Sequence, residues 1–316
     1  MAAGIPLLII CGPTASGKTG LAVELAKRYN GEVVGADSMQ LYKSMNIGTA
    51  KPNSAECQGV PYHLIDFLNP TDTFSVAQFA ELCRLTIREI DKRGKLPILC
   101  GGTGLYIQAI VDNIQYAEIA EDAELRAQLR AEALQQGNES LWQRLNDCDP
   151  ALAAGLHPNN LGRVIRGIEV FTLTGKPLSL WQKESVLVPS PYNTLQLGIT
   201  AHDRQILYDR IDHRVGDMMS AGLMDEAKAL LEGGFSKTAG QAIGYKELFG
   251  YLEGRQSLDE SVEMLKMETR RYAKRQITWF RRDSRIRWLY IDDYTSGQII
   301  EQAEQGINNW ATGFER

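Results

Sequence analysis

One octapeptide near the N terminus constrains the fold of this 316-residue chain more than any other feature: Gly12-Pro13-Thr14-Ala15-Ser16-Gly17-Lys18-Thr19. It matches the Gly-x4-Gly-Lys-Ser/Thr pattern of a phosphate-binding P-loop. The apolar run at residues 7–11 predicts a buried strand directly before it, and residues 17–29 have the spacing of a helix directly after it. In that setting backbone N–H groups converge on phosphate oxygens, Lys18 can neutralise a phosphate, and Thr19 can hold Mg²⁺. The sequence therefore predicts a phosphate site.

The first third of the chain alternates strand-like and helix-like segments, a pattern typical of βαβ units around a parallel sheet. Residues 32–36 predict a second strand and residues 63–66 a further short one. Residues 76–91 carry apolar side chains at helical spacing. Residues 96–100 then predict a strand that runs into the turn Gly101-Gly102-Thr103-Gly104. We therefore expect an α/β fold with a P-loop NTPase-like parallel core.

The pattern changes from about residue 118, where strand signals give way to helical stretches rich in Ala, Leu, Glu, Gln and Arg. A proline-containing linker at residues 186–192 closes this region. The simplest interpretation is a helical insertion in an α/β core. We predict that residues 1–117 and 193–316 form the P-loop core with a helical C-terminal part. Residues 118–192 would form the insertion.

Cysteine and histidine usage restricts the class of protein further. The five cysteines are scattered and contain no Cys-x-x-Cys pair, which argues against a disulfide framework and against a cysteine zinc site. The four histidines have no metal-ligand spacing. The apolar run at residues 5–11 is too short to span a bilayer and lacks the flanks of a signal peptide. We expect a cytoplasmic, monomeric protein without a membrane partner.

The distribution of charge says more than its sum. A formal net charge of −5 argues weakly against a nucleic-acid partner. Residues 266–287, however, contain nine basic residues against only two acidic ones, Glu268 and Asp283. Most of this stretch lies on a helix that we predict for residues 258–283. Such clustering is the footprint that polyanions select.

The identity of the phosphate ligand stays open at this point. A P-loop kinase or NTPase usually has an apolar strand that ends in an aspartate for Mg²⁺, but the strand at residues 96–100 ends in glycine and threonine. Asp66 can supply such a carboxylate, or it can simply cap a turn. A second alternative is a nucleic-acid-binding protein whose P-loop is only a regulatory switch.

Nine segments in one order resemble the bacterial tRNA dimethylallyltransferases over nearly the whole chain. Beyond the P-loop they are the segments at residues 37–40, 48–52, 101–106, 157–160, 163–170, 241–247, 269–276 and 279–282. The resemblance implies dimethylallyl diphosphate as donor and Mg²⁺ as cofactor. It also implies that the acceptor is the N6 amine of the adenine on the 3′ side of the tRNA anticodon. Plant relatives that prenylate free adenine nucleotides are the closest rival.

The resemblance also implies roles for individual residues. Asp37 would be the general base that takes a proton from a weakly nucleophilic amine. Thr103 would donate a hydrogen bond to the leaving group, which Lys18 would also stabilise. The implied diphosphate ligands are Gly12, Pro13, Thr14, Ala15, Ser16, Gly17, Lys18, Thr19 and Arg214. The implied tRNA contacts are Asp37, Ser38, Met39, Gln40, Thr103, Leu161, Gly162, Arg163, Val164, Ile165, Arg166, Ala242, Ile243, Gly244, Tyr245, Lys246, Glu247, Arg275, Arg281 and Arg282.

Several of these roles have a plainer alternative. Asp37 and Thr103 can be ordinary turn residues, and Arg214, like the other arginines, can belong to a solvated helix face. The amide of Gln40 can pair with a base edge. Three aromatic residues of the basic stretch can stack on bases, but their spacing suits a core stripe better, and we favour core packing for Tyr272, Trp279 and Phe280.

Overall fold

The computed structural model describes residues 4–116 and 119–311, and its centre is a six-stranded, entirely parallel sheet. The strand order is β3-β2-β4-β1-β5-β6. The strands are β1 Ile5–Cys11, β2 Gly31–Gly35, β3 Tyr62–His63, β4 Leu96–Gly101, β5 Tyr192–Thr200 and β6 Ile286–Tyr290. The predicted P-loop α/β class is thereby confirmed.

Helices follow the strands as the βαβ pattern requires. In the first part of the chain they are α1 Lys18–Arg28, α2 Ser54–Cys57, α3 Val76–Lys92 and α4 Gly104–Val111. Helix α3 begins with a capping box in which the side chains of Ser75 and Gln78 each accept the other's backbone N–H. The predicted strand at residues 63–66 is wrong in its extent. It stops at His63 because Leu64 and Asp66 have φ angles of 56° and 58°, which no strand accommodates.

The contact pattern divides the chain into two units, Met1–Val111 with Ser190–Arg316, and Asp112–Pro189. The second unit contains helices and no strand among its described residues: α5 Ala123–Gln136, α6 Asn138–Cys148, α7 Pro150–Ala153, α8 Leu161–Thr174 and α9 Leu178–Ser185. Its core contains Leu129, Leu141, Leu145 and Val164. The predicted starting point of the insertion, residue 118, lies outside the described residues.

A buried carboxylate on α8 connects segments of this helical unit through hydrogen bonds. Glu169 is 0 % exposed and accepts hydrogen bonds from Arg126 (2.8 Å), from Arg166 (2.6 Å) and from the backbone N–H of Asp122 (2.9 Å). Two guanidinium partners hold the pKa of Glu169 below its usual value although burial opposes that shift. Removal of either arginine would leave a buried charge short of partners, so both have a structural role.

The first unit ends in a helical region that carries part of the site. Its helices are α10 Arg204–Ser220, α11 Leu223–Gly233, α12 Lys246–Leu252, α13 Leu258–Phe280 and α14 Ser296–Ala311. Helix α13 begins with a second capping box, between Ser257 and Glu260. It ends at Phe280, three residues before the predicted end. Over residues 4–116 and 119–311, no helix has both the length and the hydropathy that crossing a bilayer demands.

Candidate functional site

The carboxyl ends of β1, β2 and β4 meet beside a cavity of about 480 Å³. In a parallel sheet this edge is where ligands bind, because loops from neighbouring strands converge there. The cavity is lined by the P-loop after β1, by residues 37–40 after β2 and by the glycine turn after β4. Helices α10 and α13 close it with side chains that include Arg214 and Tyr272.

The P-loop has the backbone curvature of an anion-binding site. Three of its residues have positive φ angles: Gly12 (143°), Ala15 (61°) and Gly17 (94°). A Cβ at Gly12 would collide with the carbonyl of Ile199, so the close approach of the loop to β5 requires glycine. Within the described residues the buried hydroxyl of Ser16 has no hydrogen-bond partner. The loop is therefore curved for an anion and carries an unsatisfied polar group.

Two cations face this loop. Lys18 Nζ donates to the carbonyl of Pro13 (2.5 Å), and burial lowers the pKa of Lys18 while the carboxylate of Asp37 opposes that shift. Arg214 on α10 lines the same cavity, and burial lowers its pKa too. Arg214 therefore faces the cavity, and its role as a diphosphate ligand stays a prediction. Together Lys18 and Arg214 concentrate positive charge where a polyanion would bind.

Asp37 follows β2 and lines the cavity. Its Oδ1 accepts the N–H of Met39 at 3.0 Å. Burial raises the pKa of the Asp37 carboxyl, although the N–H of Met39 and the charges of Lys18 and Arg214 oppose the rise. A carboxylate with a raised pKa in a cavity is suited to accept a proton.

Thr103 lies beside Asp37 in the turn after β4. Its Oγ1 accepts the N–H of Ser38 (3.0 Å) and contacts Ser38 Oγ (3.3 Å), while its own N–H donates to the carbonyl of Ala36 (3.1 Å). The structure thus joins the turn after β4 to the loop after β2. The Thr103 hydroxyl is engaged with this loop and also positions the segment next to Asp37.

The amide of Gln40 is used inside the protein. Its Nε2 donates to the carbonyls of Thr49 (3.0 Å) and Ala50 (3.1 Å), so Oε1 is the atom that can pair with a base edge while these bonds persist. That pairing stays a prediction. The carboxylate of Glu226, on α11, accepts three successive N–H groups from Asn46 to Gly48. Residues 48–50 line the cavity, so Gln40 and Glu226 shape one of its walls.

Several predicted tRNA contacts have buried side chains. Val164 and Ile165 belong to the core of the helical unit, and Ala242, Tyr245 and Glu247 are buried in the first unit. The reason is that a contiguous helical segment always turns some residues inward. Gly244 is buried as well, whereas Leu161 and Ile243 are half-buried and Gly162, Arg163 and Lys246 are exposed. Arg166 donates to Glu169 and to the carbonyl of Ile119, so its guanidinium is already committed.

The aromatic residues of the basic stretch separate into two groups. Phe280 is buried, which confirms core packing for it, whereas Trp279 is half-buried and packs over Gly104. Core packing is wrong for Tyr272, because this side chain lines the cavity. Burial and the charge of Asp37 both raise the pKa of the Tyr272 hydroxyl, which lies near Thr103.

About half of the basic stretch is neutralised locally. Ion pairs engage Lys266 with Glu263, Arg270 with Asp212, Arg271 with Glu268, and Arg285 with Asp283. Lys274, Arg275, Arg281, Arg282 and Arg287 are exposed and have no ion pair among the residues that the structure describes. Arg275 lies over the ring of Tyr272 at 5.7 Å.

Asp66, the alternative carboxylate for a metal, is outside the cavity lining and binds Lys51 at 2.7 Å.

Comparisons with known proteins place this site in a family. Residues 40–283 match the family model described as IPP transferase. The tRNA dimethylallyltransferase of Acetivibrio thermocellus is 51 % identical over 93 % of this chain and 94 % of its own. That of Geobacillus kaustophilus is 48 % identical over 96 % of each.

Solved structures agree. The full-length tRNA isopentenylpyrophosphate transferase of Bacillus halodurans is 42 % identical, with a TM-score of 0.73 over 99 % of this chain and 100 % of that one. A eukaryotic dimethylallyltransferase acting on tRNA is 30 % identical, with a TM-score of 0.81 over 96 % of this chain and 80 % of its own. On sequence and fold together, this chain belongs to the tRNA dimethylallyltransferase family, as its motifs predicted.

Proposed function

We propose that this enzyme transfers the dimethylallyl group of dimethylallyl diphosphate to the N6 amine of the adenine 3′-adjacent to a tRNA anticodon. One observation carries the proposal: a single cavity is lined by a P-loop with its lysine, by the half-buried Arg214 and by a carboxylate with a raised pKa. A diphosphate leaving group requires the first two, and an amine that must lose a proton requires the third.

In the proposed reaction the bond between the dimethylallyl carbon and the diphosphate oxygen breaks, and the electron pair leaves with the diphosphate. The N6 lone pair forms the new bond to that carbon, and the proton of the amine passes to the carboxylate of Asp37. Lys18 and Arg214 stabilise the anion as it separates, because their attraction grows with its charge. The adenine must leave its stack to reach Asp37 in the cavity.

A divalent cation fits this site by its donor chemistry. Mg²⁺ prefers oxygen ligands and is usually shared between one or two protein groups and substrate phosphates. The hydroxyl of Thr19 lines the cavity at the start of α1, next to the P-loop. We propose Thr19 as the protein ligand, with diphosphate oxygens as the others. Mg²⁺ bound there would neutralise charge on the departing diphosphate.

The deciding experiment measures the acceptor directly. Purified protein with labelled dimethylallyl diphosphate and Mg²⁺ is given bulk tRNA or AMP, and label is followed into each. We expect label in tRNA and none in AMP. ATP hydrolysis or phosphorylation without prenyl transfer would favour a kinase, and label in AMP would favour an enzyme that acts on free nucleotides.

Thr103→Ala should raise the activation free energy of prenyl transfer by roughly 1–3 kcal/mol, the range for loss of one neutral hydrogen-bonding group. The Ser38 N–H loses its partner, and a donor to the leaving group disappears. Single-turnover rates at saturating substrates measure the effect. Thr86→Ala is the control, because its hydroxyl only donates to a helix carbonyl in α3. Equal rates for Thr103→Ala and the parent enzyme would remove Thr103 from the mechanism.

Salt dependence tests the proposed tRNA contacts. We expect Arg163→Ala, Arg275→Ala and Arg282→Ala each to reduce the log–log salt slope of tRNA affinity by about 0.7–0.9 if the arginine binds one phosphate. Arg166→Ala should instead lower the free energy of unfolding, because Glu169 loses a buried partner. Arg255→Ala is the control, since Arg255 is exposed and paired with Glu253. Unchanged slopes in all three variants would make these arginines a solvated surface.

A further inference from the structure

The Pro13–Thr14 peptide of the P-loop is held at both of its polar atoms by side chains. Its carbonyl accepts from Lys18 Nζ at 2.5 Å. Its N–H donates to Oε1 of Gln276 at 2.8 Å, a contact between residues 262 positions apart in the sequence. The orientation of this peptide therefore depends on one residue inside the loop and one on helix α13.

The two contacts differ in what else they must do during the proposed reaction. Lys18 Nζ has three N–H donors, and contact with a diphosphate would share it between the anion and the Pro13 carbonyl. Gln276 holds the other polar atom of the peptide, the Thr14 N–H, independently of the anion. Without Gln276 the peptide would be free to rotate, and the loop amides would no longer converge on the anion.

The other end of the same amide fixes the turn after β4. Gln276 Nε2 donates to the carbonyl of Gly102 at 2.9 Å, and this bond is fully buried. The absence of a side chain at Gly102 makes the approach possible, because a Cβ there would collide with Nε2. The next residue, Thr103, binds the N–H of Ser38 beside Asp37.

Burial makes this bridge costly to lose. Gln276 is 5 % exposed and is one of few polar residues on the buried face of α13, which otherwise packs Ala273, Ile277 and Phe280. Loss of the side-chain amide would leave the Thr14 N–H and the Gly102 carbonyl without this partner.

We infer that Gln276 is a positioning residue that fixes the leaving-group site relative to the base site. The inference rests on the proposed function, since it assigns the P-loop to the diphosphate and Asp37 to the amine. It predicts that a change at Gln276 affects the chemical step more than the binding of tRNA.

Gln276→Met tests it, because methionine keeps the length and volume of the side chain but cannot make either hydrogen bond. We expect kcat for prenyl transfer to fall about ten-fold to a hundred-fold and affinity for inorganic diphosphate to fall less, with tRNA affinity unchanged. Gln256→Met is the matched control. Gln256 Nε2 also bridges two groups, the Glu247 carbonyl and the Ser261 hydroxyl, but Gln256 does not line the cavity.

Gln276→Glu separates positioning from general stability. The carboxylate still accepts the Thr14 N–H but cannot donate to Gly102 until it is protonated. Its transfer rate per folded molecule, relative to the parent, should therefore rise as the pH is lowered far enough to protonate this buried carboxyl. A parent-like kcat in Gln276→Met, or an equal loss in Gln256→Met, overturns the inference. An inactive parent enzyme would instead overturn the proposed function.

Discussion

Asp37→Asn should reduce prenyl transfer by about 10²–10⁴-fold, the contribution of a positioned general base. Asparagine preserves the size of the side chain, and its carbonyl oxygen can still accept the N–H of Met39, so the loop after β2 keeps its shape. What disappears is the group that can accept the amine proton. Single-turnover rates with saturating tRNA and dimethylallyl diphosphate measure that step, and tRNA affinity should be unchanged.

The pH profile gives a second test of the same role. Burial raises the pKa of Asp37, and the active form is the carboxylate, so transfer by the parent enzyme should fall as the pH is lowered through that raised pKa. The residual activity of Asp37→Asn should lack this acidic limb. Asp72→Asn is the control, since Asp72 is a turn residue that accepts the N–H of Asn69. Near-parental single-turnover chemistry in Asp37→Asn would assign the proton to another acceptor.

The core of this fold could be predicted because its signals are local. The P-loop, Asp37 and the glycine turn each follow a strand, and each of these strands is a short apolar run in the sequence. A parallel sheet brings the carboxyl ends of the three strands together. The strand at residues 63–66 was overextended because an apolar run does not reveal a positive φ angle at Leu64. Motifs and hydrophobic periodicity report the order of residue types along the chain. The backbone φ angles, which they do not report, decide where a strand ends.

The rest of the site depends on contacts between distant residues. Gln276 and Glu226 were missed because each binds a backbone segment far away in sequence, the P-loop and residues 46–48 respectively. A signal for Gln276 was present, since it is a glutamine among apolar residues on the buried face of a helix. Tyr272 was misplaced for the same reason, because helical spacing gives the face of a residue but not what that face meets.

Lys18→Ala should lower prenyl transfer by about 10²–10³-fold, comparable to the loss of one preorganised group that stabilises a developing anion. Lys18 lines the P-loop cavity with Asp37 and Arg214, and partial burial lowers its pKa because the ammonium loses hydration. A bound diphosphate supplies the compensating charge, and the attraction strengthens as the carbon–oxygen bond breaks. The loss should therefore appear mainly in kcat.

Three further variants define what that result would mean. Lys27→Ala removes an exposed lysine from the same helix, one that pairs with Glu24 and Gln58, and should leave transfer unchanged. Lys18→Arg keeps the charge but not its compact geometry, so its rate should lie between that of Lys18→Ala and that of the parent. The double variant Lys18→Ala/Arg214→Ala should lose less activation free energy than the sum of the two single losses, because both cations act on one anion. If Lys18→Ala raised KM for dimethylallyl diphosphate and left kcat at the parental value, Lys18 would contribute to binding and not to the departure of the diphosphate.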